Sequence, residues 1–264
     1  CEGAPSEITV WFEAGAGGSH LDWRLVAPEV AKFARVCSYD RAGLGWSDKQ
    51  SGARDLEAIL GELDQVIQSD SDSGQVIMVG HSFGGFVGQA YARKYPEKVA
   101  GLVLVDSLEL SFYEKYADQS KSQIGMMRTG AVLAHFGIPR LLGLAQAPAD
   151  TPEALKREIL ARAVRPDAIA TVADEAAVMP DSVAYFKTLP DMASDMPVTI
   201  ISRAISDEQT QFDLDWREGQ TQLSETYPDA QWIISDSENH YVQIAEAELI
   251  VGRIRLMING ISGR

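Results

Sequence analysis

The chain has 264 residues, 45% of them hydrophobic and 23% charged, a balance that supports one large globular α/β domain with room for an insertion. Its formal charge of −15 argues against binding to nucleic acid or to an anionic membrane, both of which need basic patches, and no apolar run approaches the ~20 residues of a membrane span. The opening Cys1-Glu2-Gly3-Ala4-Pro5 carries no basic or apolar leader. Cys1 and Cys37 show no metal-ligand spacing, so neither a zinc site nor any other cofactor is expected.

Ile8-Thr9-Val10-Trp11-Phe12 is a β-branched and aromatic run that ends at a glycine cluster, and it reads as a buried strand. Trp23, Val26, Val30 and Phe33 then recur at helical spacing, with Pro28 early in the helix. Val36-Cys37-Ser38-Tyr39 is a second strand, closed by Asp40-Arg41-Ala42-Gly43-Leu44-Gly45, where Asp40 and Arg41 are expected to form a buried polar pair. Leu56, Ile59, Leu60, Leu63, Val66 and Ile67 mark an amphipathic helix, and the Ser/Asp-rich stretch from Ser69 to Gly74 a loop. Gln75 to Val79 is the next strand, and Gly101 to Asp106 another.

That rhythm stops after Asp106. Ser107 to about Pro190 shows helical patterns only, including a helix opened by Thr151-Pro152-Glu153 with Leu155, Ile159 and Leu160. Strands resume at Val198-Thr199-Ile200-Ile201 and Gln231-Trp232-Ile233-Ile234, and a last helix covers about Glu246 to Met257. Strands apolar on both faces, alternating with helices, imply a mostly parallel sheet covered on both sides. The expected organisation is an α/β core (1–106 and 191–264) interrupted by a helical cap (107–190), without internal repeats.

Between the Gln75 strand and the helix around Phe86 to Ala92 lies Gly80-His81-Ser82-Phe83-Gly84. Strand, G-x-S-x-G, helix is the pattern of a nucleophile elbow, whose sharp turn lifts a serine hydroxyl clear of the sheet edge. Such a serine needs a base, an acid that orients the base, and N–H donors for an oxyanion. The four histidines are His20, His81, His135 and His240. His81 neighbours the serine and diverges from it, His20 lies in the first glycine loop, and His135 lies in the helical insertion. His240 follows the last strand, at the carboxyl edge of a parallel sheet where ligands bind, and is the expected base.

These residues resemble the α/β-hydrolase superfamily, in particular its capped serine esterases. The likeness rests on Glu13-Ala14-Gly15-Ala16-Gly17-Gly18, on Tyr39-Asp40-Arg41-Ala42-Gly43-Leu44-Gly45-Trp46-Ser47, on the elbow, and on Gly101 to Asp106. It implies oxyanion donors at the backbone N–H groups of Ala16 and Phe83. Ala14-Gly15 stands where the family often has His-Gly, and Asn239 where a glycine usually precedes the histidine. For the acid it offers two places: Asp106, at the end of the strand after the elbow helix, and Asp207, after the penultimate strand. Asp106 is the preferred candidate and Asp207 the alternative. The implied activity is hydrolysis of a small-molecule ester, small to medium and hydrophobic, through an acyl-enzyme. An amide, lactone or C–C hydrolase on the same residues, or a non-catalytic ligand-binding member of the fold, are the rival readings. Glu153, Glu158, Asp174 and Glu175 are the insertion's candidates for an amine-binding acid. Trp23, Trp46, Met126, Met127 and Met179 read first as packing residues.

By the same resemblance the sheet order is 1-2-4-3-5, and the strand Ile8 to Phe12 corresponds to the third. Two leading strands are then mostly missing, as in a processed N-terminus. Cys1 falls at the exit of the second strand, beside Cys37 on the fourth. A Cys1–Cys37 disulfide and a secreted or periplasmic location are therefore expected, whereas two free thiols would fit the cytoplasm.

Overall fold

Six short apolar runs become six parallel strands because helices cover both faces of the sheet they form. The computed structural model describes residues 1–70, 73–145, 147, 151–193, 195–206 and 208–263. The strands are β1 (Ser6–Glu13), β2 (Arg35–Ser38), β3 (Ser73–His81), β4 (Val99–Val105), β5 (Val198–Ser202) and β6 (Gln231–Ile234). Their order is β2-β1-β3-β4-β5-β6, every neighbouring pair parallel.

Alternation along each strand sorts side chains into two layers. Trp11, Met78, Leu102, Leu104 and Ile200 face α2 (Leu56–Ser69) and α3 (Phe83–Lys94), joined there by parts of α8 (Met179–Phe186) and α9 (Gln211–Thr226). Val10, Phe12, Ile77, Val79, Val103 and Ile201 face the opposite layer. That layer holds a 3₁₀ turn (His20–Trp23), α1 (Ala27–Val30), α10 (Val242–Ala245) and α11 (Ala247–Ser262). Between β4 and β5 the chain is helical: α4 (Leu110–Ala134), α5 (Ile138–Leu141), α6 (Glu153–Ala163), α7 (Pro166–Ala177) and α8. Among the described residues no helix is long and apolar enough to cross a membrane.

Two elements differ from the sequence reading. The helix expected over Trp23 to Phe33 is two short pieces, because Pro28 lacks the N–H that would bond the Arg24 carbonyl. The chain instead makes Val26 N–H to Trp23 O and restarts with Val30 N–H to Val26 O. Helix α9, which the sequence reading passed over, connects β5 to its parallel neighbour β6 and packs on one face of the sheet through Leu223. It opens on a capping box in which Thr210 and Asp213 bond reciprocally.

Cys1 and Cys37 form a disulfide with Cα atoms 4.1 Å apart. Glu2 lies antiparallel to Val36 through two backbone bonds, which brings Cys1 to the edge strand.

Candidate active site

Ser82 sits where β3 turns sharply into α3, with φ 53° and ψ −120°, a conformation that L-residues rarely adopt. The turn is possible only because its neighbours are bare. A Cβ on Gly80 would strike the Gly84 carbonyl, and one on Gly84 would strike the Glu13 and Ala14 carbonyls. Ser82 N–H donates to Val105 O, and Ser82 O accepts from Gly85, Phe86 and Leu108. The strained residue is therefore fixed from four directions.

Asp106 follows β4 and also has positive φ, 40°. Its side chain is wholly buried and collects three donors. His240 Nδ1 lies 2.6 Å from Oδ2, Trp216 Nε1–H donates to Oδ1 at 3.0 Å, and the Arg203 backbone N–H donates to Oδ1 at 3.1 Å. The Arg203 guanidinium lies 3.4 Å from Oδ2. A carboxylate held this way fixes the imidazole with its proton on Nδ1 and leaves Nε2 bare. The indole of Trp216 stands edge-on to the His240 ring, 5.3 Å between centroids. Asp207, the alternative acid, lies outside the described residues.

His81 is buried and turned away from the serine. Its Nε2 lies 2.9 Å from the His240 carbonyl, which can only accept, so the proton is on Nε2. Burial pushes its pKa down to about 3, and the imidazole is neutral at ordinary pH. His81 thus ties down the backbone of His240. His20 bonds Asp40 at 2.9 Å, and His135 bonds the carbonyl of Ala131.

The glycine loop after β1 is shaped by Arg41. Its guanidinium donates to the carbonyls of Ala14 (2.6 Å) and Gly15 (2.8 Å), to Glu13 (2.6 Å) and to Glu175 of α7 (3.2 Å). With those carbonyls turned towards Arg41, the Ala16 amide is left without an acceptor among the described residues, and so is the Phe83 amide at the start of α3. The expected Asp40–Arg41 pair is not formed. Asp40 instead accepts from the His20 and Trp46 backbone N–H groups, while Arg41 reaches the other way. The charged partners of Arg41, Glu13 and Glu175, were not legible because Glu175 lies 134 residues on.

Ser82, Phe83, Ala16 and His240 line one cavity of about 290 Å³. The remaining wall is apolar apart from Glu175: Leu108, Tyr113, Met127, Val172, Ala176, Met179 and Trp216. Five of these come from α4, α7 and α8. Met127 and Met179, read from sequence as packing, thus face the cavity, whereas Met126 points to solvent and Trp23 is core. Ser82 Oγ has no hydrogen-bond partner among the described residues, a looseness common before substrate arrives.

Strained serine, buried carboxylate, histidine and two free amides meet at the carboxyl ends of β3 and β4, and the alpha/beta hydrolase fold model matches residues 9–248. The chain belongs to this family. It spans 36–43% of the length of the first curated relatives it matches. One stretch is 40% identical over 115 residues to a 2-hydroxymuconate semialdehyde hydrolase of Pseudomonas sp. (strain CF600), covering 42% of this chain and 36% of that protein. Another is 30% identical over 102 residues to a proline iminopeptidase of Saccharolobus solfataricus, covering 38% and 33%. Among solved structures, a thermophilic esterase from Thermogutta terrifontis is similar across 98% of this chain and 92% of its own, with a TM-score of 0.73 and 20% identity. An enol-lactonase from Burkholderia xenovorans LB400 gives 0.67 and 17%, over 98% and 94%. At such identities the likeness is one of fold.

Proposed function

We propose that this alpha/beta hydrolase is a serine carboxylic-ester hydrolase acting on small to medium hydrophobic esters. The observation that carries the reading is the apolar cavity of about 290 Å³ that holds Ser82 and His240 in one wall, with Asp106 on the far side of the imidazole. Ser82 Oγ attacks the carbonyl carbon and His240 Nε2 takes its proton. Asp106 keeps the Nδ1–H tautomer and stabilises the imidazolium. The Ala16 and Phe83 amides receive the oxyanion, each worth about 3–4 kcal/mol. Collapse releases the alcohol with the proton from His240. A water activated by the same nitrogen then hydrolyses the acyl-serine. The helices from 107 to 190 act as a cap, whose Tyr113, Met127 and Met179 set acyl length.

An aminopeptidase reading is weaker on one observation. Among the described residues Glu175 is the only carboxylate in the cavity wall, and it is committed to Arg41 (3.2 Å) and Arg54 (3.3 Å), so it is not free for a substrate ammonium. The Cys1–Cys37 bridge supports a secreted or periplasmic setting. The test is turnover of p-nitrophenyl esters from acetate to decanoate beside an amide and a lactone. Short to medium esters should dominate, and Ser82→Ala should lower kcat by about 10⁴ or more with the fold intact. A folded Ser82→Ala protein that still turns esters over would reject the assignment.

A further inference from the structure

The whole-chain charge conceals a local departure. From Gln119 to Ala149 there is no Asp or Glu, although the chain has 38 such residues, and the stretch carries Lys121, Arg128 and Arg140. The same stretch holds the six most exposed large apolar side chains among the described residues. Met126, Val132, Phe136, Leu141, Leu142 and Leu144 are each between 61% and 83% exposed, at the C-terminal half of α4 and around α5. Single exposed apolar residues are ordinary, but a cluster of this kind on one tip marks a contact surface.

Beside it, a cleft of about 220 Å³ opens between α5 and α6. Arg140 and Arg157 line it, with Pro139, Leu160 and Val164 among the apolar remainder and no carboxylate among the described residues of its wall. Arg128, Arg140 and Arg157 form no ion pair among the described residues. Glu158, the acidic residue next to Arg157, acts on His20, away from this cleft.

We infer that this tip docks on the surface of an anionic phospholipid bilayer, with the Leu and Phe side chains in the acyl boundary and the Arg140–Arg157 cleft against headgroup phosphates. Apolar side chains flanked by unpaired guanidiniums are the combination that an anionic interface selects. A second copy would set Arg140 and Arg157 against the same guanidiniums, like charge facing like, whereas headgroup phosphates complement them. Charges elsewhere on the molecule are screened beyond about 8 Å at physiological salt, so the net charge does not forbid local docking. Met126 is exposed while its neighbour Met127 lines the Ser82 cavity, so the docked face and the cavity share helix α4.

The inference does not rest on the ester reading. Full-length protein is floated with phosphatidylcholine vesicles and with equimolar phosphatidylcholine–phosphatidylglycerol vesicles. Binding to the second and little to the first is expected, weakened by raising salt to about 1 M. Phe136→Glu with Leu141→Glu should lower the partition coefficient by about 100-fold or more. Arg140→Gln with Arg157→Gln should lower it about 30-fold, at about 1 kcal/mol per basic residue. Circular dichroism and turnover of a water-soluble ester, unchanged in both variants, separate a failed surface from a failed enzyme. Protein that stays in the buffer layer with both vesicles overturns the inference. So does equal binding to both, or a dimer in sedimentation that Phe136→Glu with Leu141→Glu splits.

Discussion

Replacing Trp216 by Phe probes the carboxylate without touching the serine, the histidine or the acid. Trp216 is buried, and its indole N–H is one of three donors on Asp106, an entirely buried group. Phenylalanine keeps the ring against His240 and loses only the donor. A hydrogen bond to a charged group contributes about 1.5–3 kcal/mol. Its loss weakens the carboxylate form that steadies the imidazolium, a state present in the transition state and not in the resting enzyme. If most of that difference is felt there, kcat falls about 10- to 100-fold. KM changes little, because the ground state forms no imidazolium. Steady-state kinetics on p-nitrophenyl butyrate, with thermal unfolding alongside, measures both. A kcat within twofold of the parent, in a folded protein, would refute the claim that this indole supports the acid.

Asp106→Asn should cost about 10⁴ in kcat by favouring the wrong imidazole tautomer, while Asp207→Asn leaves kcat within about twofold; the reverse pattern moves the acid to the later loop. Arg41→Lys cannot reproduce a planar fork that reaches Glu13, Glu175 and two carbonyls. It should lower kcat by about 10²-fold and stability by at least about 2 kcal/mol, read by kinetics and urea unfolding. Burial raises the Asp22 carboxyl from 3.8 to about 6, so the folded state binds its proton more tightly and loses stability as pH climbs from about 4 to beyond 6. Asp22→Asn should therefore stabilise the protein by up to about 2–3 kcal/mol at pH 8 and have no such effect near pH 4, as unfolding curves at the two pH values would reveal.

The parts legible in the sequence were those whose cause is local. β1, β3, β4 and β5 announce themselves as apolar runs, and the elbow as glycines around a serine between a strand and a helix. His240 was singled out by its place in the loop after the last strand, whereas Asp106 was offered beside Asp207 by the family resemblance; the fold brings Asp106 within 2.6 Å of His240 Nδ1. Trp216 was missed because α9 is rich in Asp, Glu and Gln; only its Thr210–Asp213 capping box and the Phe212–Trp216–Leu223 spacing signal the helix. The partners of Arg41 could not be read, since a buried ion network joining residues 13, 41, 54 and 175 leaves no periodic trace. His81 was read as unable to reach the serine, and the fold adds its work, the bond to the His240 carbonyl.

With Asp106, the proposed acid, at the end of β4, the described part of the connection leaving β5 supports the site rather than supplying its acid. Among the described residues its contributions are the Arg203 backbone amide and guanidinium on Asp106 and the Ala204 N–H on Ser237 O, while Thr210 beyond starts α9. An acid carried on that connection would have to hold one length and one shape. Here the distance from β5 to α9 is under no such demand. Added residues, a tag or a grafted binding segment between Ala204 and Gln209 should then leave the geometry of Ser82, His240 and Asp106 undisturbed. The stretch is therefore a practical place for building on the chain.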